Sequence, residues 1–450
     1  MNGSSRGAAL RRDAGSPPSK LALQRRLRGA VAWALPAMLL AGCGTTDSAE
    51  APEGTDVQAF TNANIFDGTG AATMTGATML VQDGKITEIG VDVQVPDGAA
   101  VTDLAGAYVI PGLVNVHAHV DSTDAYNTGF DPQDQLDHYA YYGTTTILSL
   151  GENDSYLLSV RDSTWTNQSA MPRILASGRI YNPMTPEDAR AVVDTLAQEN
   201  VDFVKIKVDD GLGAVTPMPP EAYNEVILAA GEQDIPVAVH LYKLEAGKGV
   251  LRAGAKLIAH SIRDVPVDQE FIDLLTENDA CLAPTLVREY STYAYAEEPE
   301  FFQDPFFLEN AAPDGIESYI TPEMQEAQSG TGAQYWREHL PTASANAKTL
   351  QDAGVKIAFG DDTSTAFAGR WQGYFGHVEL KMLVDAGLTP QQALIAATAT
   401  SADCIGRADQ VGTLQPGRWA DFVVLGADPL QDIMNTRQIQ SVWISGQQYR

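Results

Sequence analysis

The chain is poor in cysteine and in basic residues for its length. Three cysteines occur among 450 residues, and 29 lysines and arginines stand against 58 aspartates and glutamates, which gives a net charge of −29. Because an acidic surface repels phosphate, this balance argues against nucleic acid as a partner. Cys281 and Cys404 lie far apart in sequence. No disulfide follows from that spacing, and we expect two buried structural thiols.

The N-terminal segment lacks an apolar run long enough to span a membrane as a mature helix. Residues 29–40 are apolar but too short, and they follow the basic segment 25–28. The run Leu-Ala-Gly-Cys that ends at Cys43 resembles a bacterial lipobox. This resemblance implies a signal peptide at residues 1–42 and a lipid anchor in the cell envelope, at the outer membrane or the periplasmic face. An ordinary secretory signal is the alternative. Residues 43–55 are small and polar, which is typical of a tether.

Both ends of the remaining chain have the pattern of short strands with turns. Residues 56–112 contain the hairpin signal Asp83-Gly84, and residues 405–450 contain strand-like runs at 421–425 and 441–446. We expect the two ends to pair into one small β-sandwich.

Residues 113–404 alternate between apolar strand-like runs and helical stretches, such as 221–233 and 343–353. This alternation is typical of a parallel α/β fold. Eight strands over this length predict a (β/α)8 TIM barrel with insertions. The predicted strands are residues 113–116, 144–148, 173–176, 203–208, 237–239, 256–259, 280–284 and 356–359.

The longest insertion, residues 289–334, follows the seventh predicted strand and is rich in aromatic side chains. A long loop on the catalytic face of a barrel is typical of a lid or pocket wall, which we expect here. Its aromatic residues are Tyr290, Tyr293, Tyr295, Phe301, Phe302, Phe306 and Phe307.

Two histidines follow the first predicted barrel strand. His117 and His119 are two residues apart, and such residues on a strand point to the same side. Two imidazoles so placed can hold one metal ion. Two unrelated core or surface histidines are the alternative, since a short motif can match by chance.

The later predicted strands also end in chemically active side chains. Active-site residues of a TIM barrel lie at the carboxyl ends of its strands. Lys205 lies in the fourth strand, His240 and His260 close the fifth and sixth, and Asp362 follows the eighth. A histidine alone is more often a packed core residue. Four of the seven histidines at strand ends, in register with a lysine and an aspartate, predict a metal centre.

With these residues, the chain resembles the amidohydrolase superfamily over nearly all of residues 56–450. The resemblance rests on Val-Ile-Pro-Gly-Leu at 109–113, Gly-Thr-Leu-Gln-Pro-Gly at 412–417 and the pair Ala420-Asp421. It is greatest to the imidazolonepropionase-like branch that contains prolidase-type dipeptidases and carboxypeptidases. In that branch the fourth strand carries a carbamylated lysine, which implies a lysine carbamate at Lys205.

The resemblance also implies two divalent metal ions, and imidazole with carboxylate suits zinc. The residues after the first and eighth strands would bind one ion, those after the fifth and sixth the other, and the carbamate would bridge them. The ligands are His117, His119 and Asp362 for one ion, His240 and His260 for the other, and Lys205 between them.

The chemistry of lysine agrees with that assignment. A lysine ammonium has no lone pair and cannot bind a cation. A desolvated, neutral lysine can add carbon dioxide and become an anion. A water held between two metal ions ionises near neutral pH and can act as a nucleophile.

Two assignments stay open from the residues alone. Lys207 shares the face of Lys205, and only the Asp-Phe-Val-Lys match favours Lys205. Relatives commonly have the sequence Gly-Thr-Asp-Ser where this chain has Gly-Asp-Asp-Thr at 360–363. Asp361 therefore stands in place of their threonine and could perturb or replace Asp362. Asn115 stands where some relatives carry aspartate, and we assign it no role.

Four further residues are secondary candidates. Tyr242 shares a face with the fifth-strand histidine; it either bonds the substrate carbonyl, as in some relatives, or is a packed aromatic with a wet hydroxyl. Arg288 could clamp a substrate carboxylate, although a surface ion pair with Glu289 is the more ordinary role. Arg179 is a weaker rival. His377 is expected at a solvated helix start, with a lid or metal-supporting role as the alternative.

These observations predict a metal-dependent hydrolase of an amide or peptide bond, in which a metal-bridging hydroxide attacks the carbonyl carbon. Asp362 would carry the proton to the leaving nitrogen, and Tyr242 would assist. Dipeptides and N-acyl amino acids are the substrates that the resemblance implies. A mononuclear hydrolase of cyclic amides or a deaminase is the second hypothesis. A solute-binding lipoprotein with a decayed site is the non-enzyme alternative.

Overall fold

A computed structural model places most of the chain, and the predicted signal peptide and tether lie outside the residues it describes. Among the described residues, no helix is both long and apolar enough to cross a bilayer. The described residues are 56–121, 131–151, 155–166, 169–310, 316, 319–364 and 369–450.

Strands from both chain ends pair into one eight-stranded sheet, as the sequence predicts. Its two ends meet where Val109 pairs antiparallel with Val424. Phe60 packs edge-on against Phe422, with ring centroids 4.9 Å apart, inside the core of this region. The strands are β1 (Gln58–Ile65), β2 (Met74–Gln82), β3 (Lys85–Gly90), β4 (Ala100–Asp103), β5 (Tyr108–Pro111), β14 (Phe422–Leu425), β15 (Ile439–Ile444) and β16 (Gln447–Gln448).

Eight parallel strands form the barrel, which confirms the predicted fold class. They are β6 (Leu113–Ala118), β7 (Thr144–Ser149), β8 (Arg173–Ala176), β9 (Val204–Lys207), β10 (Val237–His240), β11 (Leu257–Ala259), β12 (Cys281–Ala283) and β13 (Lys356–Ile357). Strands β6–β8 and β9–β13 make two sheets. Backbone hydrogen bonds link their edges, from Val116 N to Phe359 O at 2.9 Å and from Asp202 N to Ala176 O at 2.8 Å.

The helices begin where the sequence supplies caps. Several start with a proline after a side chain that accepts a backbone N–H, as Thr389 does for Gln392, because proline at the first helical position needs no hydrogen bond. The helices are Pro132–Tyr141, Ser155–Arg161, Pro186–Gln198, Pro220–Glu232, Leu244–Ala253, Gln269–Glu277, Leu286–Ser291, Pro305–Leu308, Pro322–Ala327, Thr331–Asp352, Tyr374–Asp385, Pro390–Ile395 and Ser401–Cys404.

One expectation about the region after β12 needs correction. The predicted helix 343–353 is the second half of a longer helix, Thr331–Asp352, which continues through Pro341. For the aromatic insertion, a lid or pocket wall stays a prediction. Its side chains pack with one another and with the helix Tyr374–Asp385, where Phe301 and Phe307 lie 5.6 and 4.9 Å from the Tyr374 ring. The insertion thus builds a second, aromatic core beside the barrel.

The two cysteines predicted as thiols form a disulfide, Cys281–Cys404, with Cα atoms 6.0 Å apart. Cys281 begins β12 inside the barrel, and Cys404 ends the helix Ser401–Cys404. The prediction was wrong because 123 residues separate the two positions in sequence. The two cysteines come together only when the chain folds. Closing so long a loop restricts the unfolded chain and stabilises the fold by about 4–5 kcal/mol in the chain-entropy model.

A buried ion pair joins the barrel to the sheet made by the chain ends. Asp421 accepts hydrogen bonds from Arg173 Nε at 2.7 Å and Nη2 at 3.0 Å, and the arginine is fully buried. The guanidinium lies 4.1 Å from the ring of Trp419. It also donates to Thr164 O and Ser445 Oγ, each at 2.8 Å. This arrangement gives the motif aspartate a structural role.

We expect Asp421→Asn to lower the free energy of unfolding by about 3–5 kcal/mol, because it leaves the buried charge of Arg173 without a counter-ion. Urea unfolding measures the change. Asp385→Asn is the control, since Asp385 forms an exposed pair with Lys381 and its loss should cost less than about 1 kcal/mol. Equal losses in the two variants would show that the buried pair has no special role.

Candidate metal centre

The first two predicted histidines meet the predicted aspartate at the seam between β6 and β13. Oδ1 of Asp362 lies 3.2 Å from Nε2 of His117 and 3.0 Å from Nε2 of His119. Their potential ligand atoms all lie within 4.8 Å of one another. Gly360 permits this closeness, because a Cβ there would come within 2.7 Å of His117 Cβ. Asp362 N then donates to His117 O at 2.7 Å.

Lys205 lies buried beside these residues, whereas Lys207 is exposed. The Nζ atom of Lys205 is 3.0 Å from His117 Nε2. Burial lowers the pKa of Lys205 to about 7, so a large fraction of this amine is neutral near pH 7. Of the two lysines on this strand, Lys205 is the buried one, and its amine has the desolvation that carbamate formation requires.

The two remaining predicted ligands face each other. Nδ1 of His240 lies 2.7 Å from Nε2 of His260, and Nδ1 of His260 lies 2.6 Å from Thr285 Oγ1. The ring of His260 is 4.6 Å from that of His117. The four histidines thus form one continuous row, in which His117 and His260 are the central members.

Three residues at this row have left-handed backbone conformations. His260, Thr285 and Asp362 have positive φ values of 86°, 48° and 49°. Such a conformation is uncommon for residues with a Cβ, especially a β-branched one. Strained backbone of this kind clusters at functional sites, where the surrounding structure holds it in place.

The two adjacent aspartates have different surroundings. Burial alone would raise the pKa of Asp362, but hydrogen bonds from His117 and His119 hold it well below the usual range. Burial raises the pKa of Asp361 to about 6. Oδ1 of Asp361 accepts hydrogen bonds from the N and Oγ1 of Thr363 at 3.1 and 2.8 Å. Asp362 is thus the aspartate that contacts the histidines.

A group of arginines lies next to Asp362. Arg370 Nη1 is 3.2 Å and Arg288 Nε is 3.9 Å from Asp362 Oδ2. Arg288 also pairs with Glu289 at 2.9 Å, so the expected ion pair exists, with the glutamate fully buried and the arginine partly exposed. The fully buried Arg263 lies 3.1 Å from the same glutamate. Three guanidinium groups therefore share one glutamate and the site aspartate.

Tyr242 is held away from the histidine row. Its hydroxyl donates to Asp210 Oδ1 at 2.7 Å, and its ring packs edge-on against Trp336 at 5.5 Å. Burial raises the pKa of Tyr242 to about 12, so the hydroxyl is protonated at neutral pH. The contacts of Tyr242 are those of a packed aromatic with a hydrogen-bonded hydroxyl.

The other secondary candidates lie away from the cluster or support it from behind. Asn115 accepts a hydrogen bond from His117 N at 3.1 Å. Arg179 is exposed. His377 is buried, not solvated as expected, and lies 2.8 Å from Tyr142 O and 3.0 Å from Thr436 Oγ1. That prediction was wrong because the aromatic core covers the start of its helix.

Sequence reasoning missed several residues of the site, among them Thr285 beside His260 and the buried Arg263. Asp209 contacts His240 Nε2. Asp209 lies in the turn after β9, which ends at Lys207, so strand alternation does not indicate where its side chain points. Arg370 and Trp336 lie in segments without strand or motif patterns, and nothing local indicates their position.

The donor set fits divalent metal ions. Burial lowers the pKa of His117 and of His240 to about 3, so both imidazoles keep a lone pair at neutral pH. Neutral imidazole and carboxylate are preferred ligands of zinc. Lys205 adds a buried amine that can lose its proton. The cluster therefore offers what a binuclear centre with a lysine carbamate requires.

A (β/α)8 barrel with such a cluster at the carboxyl ends of its strands defines the class of barrel hydrolases that use divalent metals. The chain belongs to the amidohydrolase family, whose model, described as "Amidohydrolase family", matches residues 108–449. The resemblance seen in the sequence is thereby confirmed.

Curated relatives match parts of the chain. Over 100 residues it is 36% identical to imidazolonepropionase from Geobacillus kaustophilus (strain HTA426), covering 21% of this chain and 22% of that protein. Over 351 residues it is 24% identical to adenine deaminase from Methanoculleus marisnigri (strain ATCC 35101 / DSM 1498 / JR1), covering 76% and 55%. These matches span less than two thirds of the length of either relative.

Solved structures share the fold over most of the chain. A candidate prolidase from Bifidobacterium longum superimposes with a TM-score of 0.72 at 25% identity, covering 88% of this chain and 94% of that one. A Xaa-Pro dipeptidase with methionine bound in its active site has a TM-score of 0.69 at 21% identity, covering 88% and 100%.

We expect Asp362→Asn to lower kcat for hydrolysis by several orders of magnitude, because the amide that replaces the carboxylate cannot accept a proton. Asp361→Asn should stay within about tenfold of wild type, since an amide oxygen can still accept from Thr363 and one altered hydrogen bond is worth about 1 kcal/mol. Both variants are compared in one assay with bound metal measured. An inactive Asp361→Asn beside an active Asp362→Asn would reverse the assignment.

Proposed function

We propose that this protein is a binuclear metal-dependent hydrolase that cleaves an amide or peptide bond. The observation that supports this most directly is the burial of Lys205 between the strand-end histidines, with its Nζ 3.0 Å from His117 Nε2. Lys205 would carry a carbamate, and with His117, His119, His240, His260 and Asp362 it would hold two ions, which we take to be zinc. When bound, such ions lower the pKa of a water and polarise a carbonyl group.

In this proposal Asp362 moves the proton. Its Oδ1 faces the two histidines, whereas its Oδ2 faces Arg370 at 3.2 Å. Oδ2 is the oxygen turned away from the histidines, and in this proposal it takes a proton from the attacking water and delivers it to the leaving nitrogen. Tyr242 would reach a substrate carbonyl only by giving up its hydrogen bond to Asp210.

The arginines favour a substrate with a carboxylate. Arg263 and Arg288 pair with Glu289, and Arg288 and Arg370 face Oδ2 of Asp362, so guanidinium groups lie beside the place proposed for the reacting bond. A guanidinium binds a carboxylate through two parallel hydrogen bonds. Dipeptides and N-acyl amino acids have a carboxylate close to the scissile bond, and the structural likeness to a Xaa-Pro dipeptidase is in keeping with them.

Turnover of a panel of dipeptides and N-acyl amino acids tests the proposal, with zinc and bicarbonate added. Each free acid is compared with its own C-terminal amide. Wild type should bind about two ions and should prefer the free acids roughly 10- to 100-fold, since a hydrogen bond to a charged group contributes about 1.5–3 kcal/mol. Arg288→Met should abolish that preference. Equal turnover of acids and amides would refute the carboxylate assignment.

Matched lysine variants test the metal centre in the same panel. Lys205→Ala should lose turnover and at least one ion, whereas Lys207→Ala, with its exposed side chain, should retain both. The reverse pattern would move the carbamate to Lys207. One ion per wild-type chain would favour the mononuclear alternative that the adenine deaminase similarity suggests, and no bound metal would favour a binding protein.

We further propose that the protein is anchored in the cell envelope through Cys43. Besides the lipobox, the Cys281–Cys404 disulfide supports export, because disulfides persist mainly in oxidising compartments. Cys43→Ser should convert a membrane-associated protein into an unprocessed or soluble one, as measured by fractionation after a carbonate wash. Thr45→Ser is the control and should stay with the membrane. Equal membrane association of the two variants would rule out the lipid anchor.

A further inference from the structure

The outer face of His240 contacts a carboxylate that is not among the six proposed ligands. Nε2 of His240 is in hydrogen-bonding contact with Oδ2 of Asp209, whose side chain is 8% exposed. Oδ1 of the same aspartate accepts a hydrogen bond from Gly211 N at 3.1 Å. The turn after β9 therefore fixes the carboxylate on the side of the ring that faces away from His260.

We propose that Asp209 is a positioning residue that fixes the tautomer and orientation of His240, so that Nδ1 presents its lone pair to the metal centre. An ionised carboxylate has no proton to donate. The Nε2 atom of His240 must therefore carry the hydrogen, which leaves Nδ1 as the acceptor atom. Nδ1 is also the atom that lies 2.7 Å from His260 Nε2.

The neighbouring histidine shows why this contact is distinctive. His260 Nδ1 lies 2.6 Å from the hydroxyl of Thr285, and a hydroxyl can either donate or accept. Thr285 is therefore compatible with both tautomers of His260, whereas Asp209 is compatible with one tautomer of His240. Asp209 thus fixes the tautomer of His240, whereas Thr285 leaves that of His260 adaptable.

The charge of Asp209 also acts on the site. A carboxylate behind a ligating imidazole raises its basicity and strengthens its bond to a metal. Lys207 and Arg288 contribute positive charge near His240 that would act in the opposite direction. Asp209 counters them at the ring itself. This inference rests on the proposed function, because it presupposes that His240 binds a metal ion.

Metal affinity, measured without turnover, tests the inference. Zn²⁺ binding is followed by competition with a chromogenic chelator, and the visible spectrum of Co²⁺-loaded protein reports the ligand geometry. Asp209→Ala should lower the affinity for one of the two ions roughly 10- to 100-fold and change the cobalt spectrum. Asp209→Asn, which can still accept the hydrogen bond but has no charge, should fall between Ala and wild type.

Asp210→Asn is the matched control, because Asp210 adjoins Asp209 but contacts Tyr242 and Lys243, not an imidazole. It should leave both zinc affinities within about twofold of wild type, well below the effect of losing a supporting carboxylate. Thermal unfolding of the metal-free variants shows whether Asp209 has a purely structural role. A lower melting temperature with unchanged zinc affinity in both Asp209 variants would overturn the inference.

Failure of the inference and failure of the proposed function give different results. If wild type binds fewer than two zinc ions, the binuclear proposal fails. If wild type binds two ions and Asp209→Asn and Asp209→Ala bind them with unchanged affinity, only the role of Asp209 is refuted. If Asp209→Ala does not fold, the zinc affinity of the Asp209→Asn variant, measured by the same competition, decides whether Asp209 has the proposed role.

Discussion

The contact between the first and last barrel strands is the constraint on which the metal centre depends. Backbone hydrogen bonds join His117 O to Asp362 N and Thr363 O to His119 N. They place a carboxylate from one end of the barrel against two imidazoles from the other, about 240 residues earlier in the chain. Gly360 makes the approach sterically possible. Any change that widens this seam would separate the ligands while leaving each strand intact.

The fold could be predicted from local patterns because barrel strands are short, apolar and separated by helices. All eight predicted strands overlap β6–β13, and the two chain ends pair as expected. What failed depends on contacts between distant segments. Neither the Cys281–Cys404 bond nor the packing of the aromatic insertion leaves a periodic signal, because both arise only when the chain returns past the barrel.

The site was predictable for a related reason. Parallel strands bring their carboxyl ends to one edge, so residues such as Lys205 and His240 could be grouped without knowing any distance. The residues that surround them escaped detection for different reasons. Arg370 reaches Asp362 from a connecting segment, where no periodicity links sequence to position. Asp209 lies in the turn after β9, where alternation no longer applies, and its partner is a ring nitrogen of His240 at the end of the next strand.

The disulfide divides the site topologically. The covalent ring closed by Cys281 and Cys404 contains Asp362, Arg288 and Arg370, whereas the four histidines, Lys205 and Arg263 lie outside. A protease that cuts once within this ring, for example in the aromatic insertion, releases no fragment. The proton-carrying aspartate then stays tethered to the strands that bear the imidazoles. A nicked chain would remain a single molecule until its sulfur–sulfur bond is reduced.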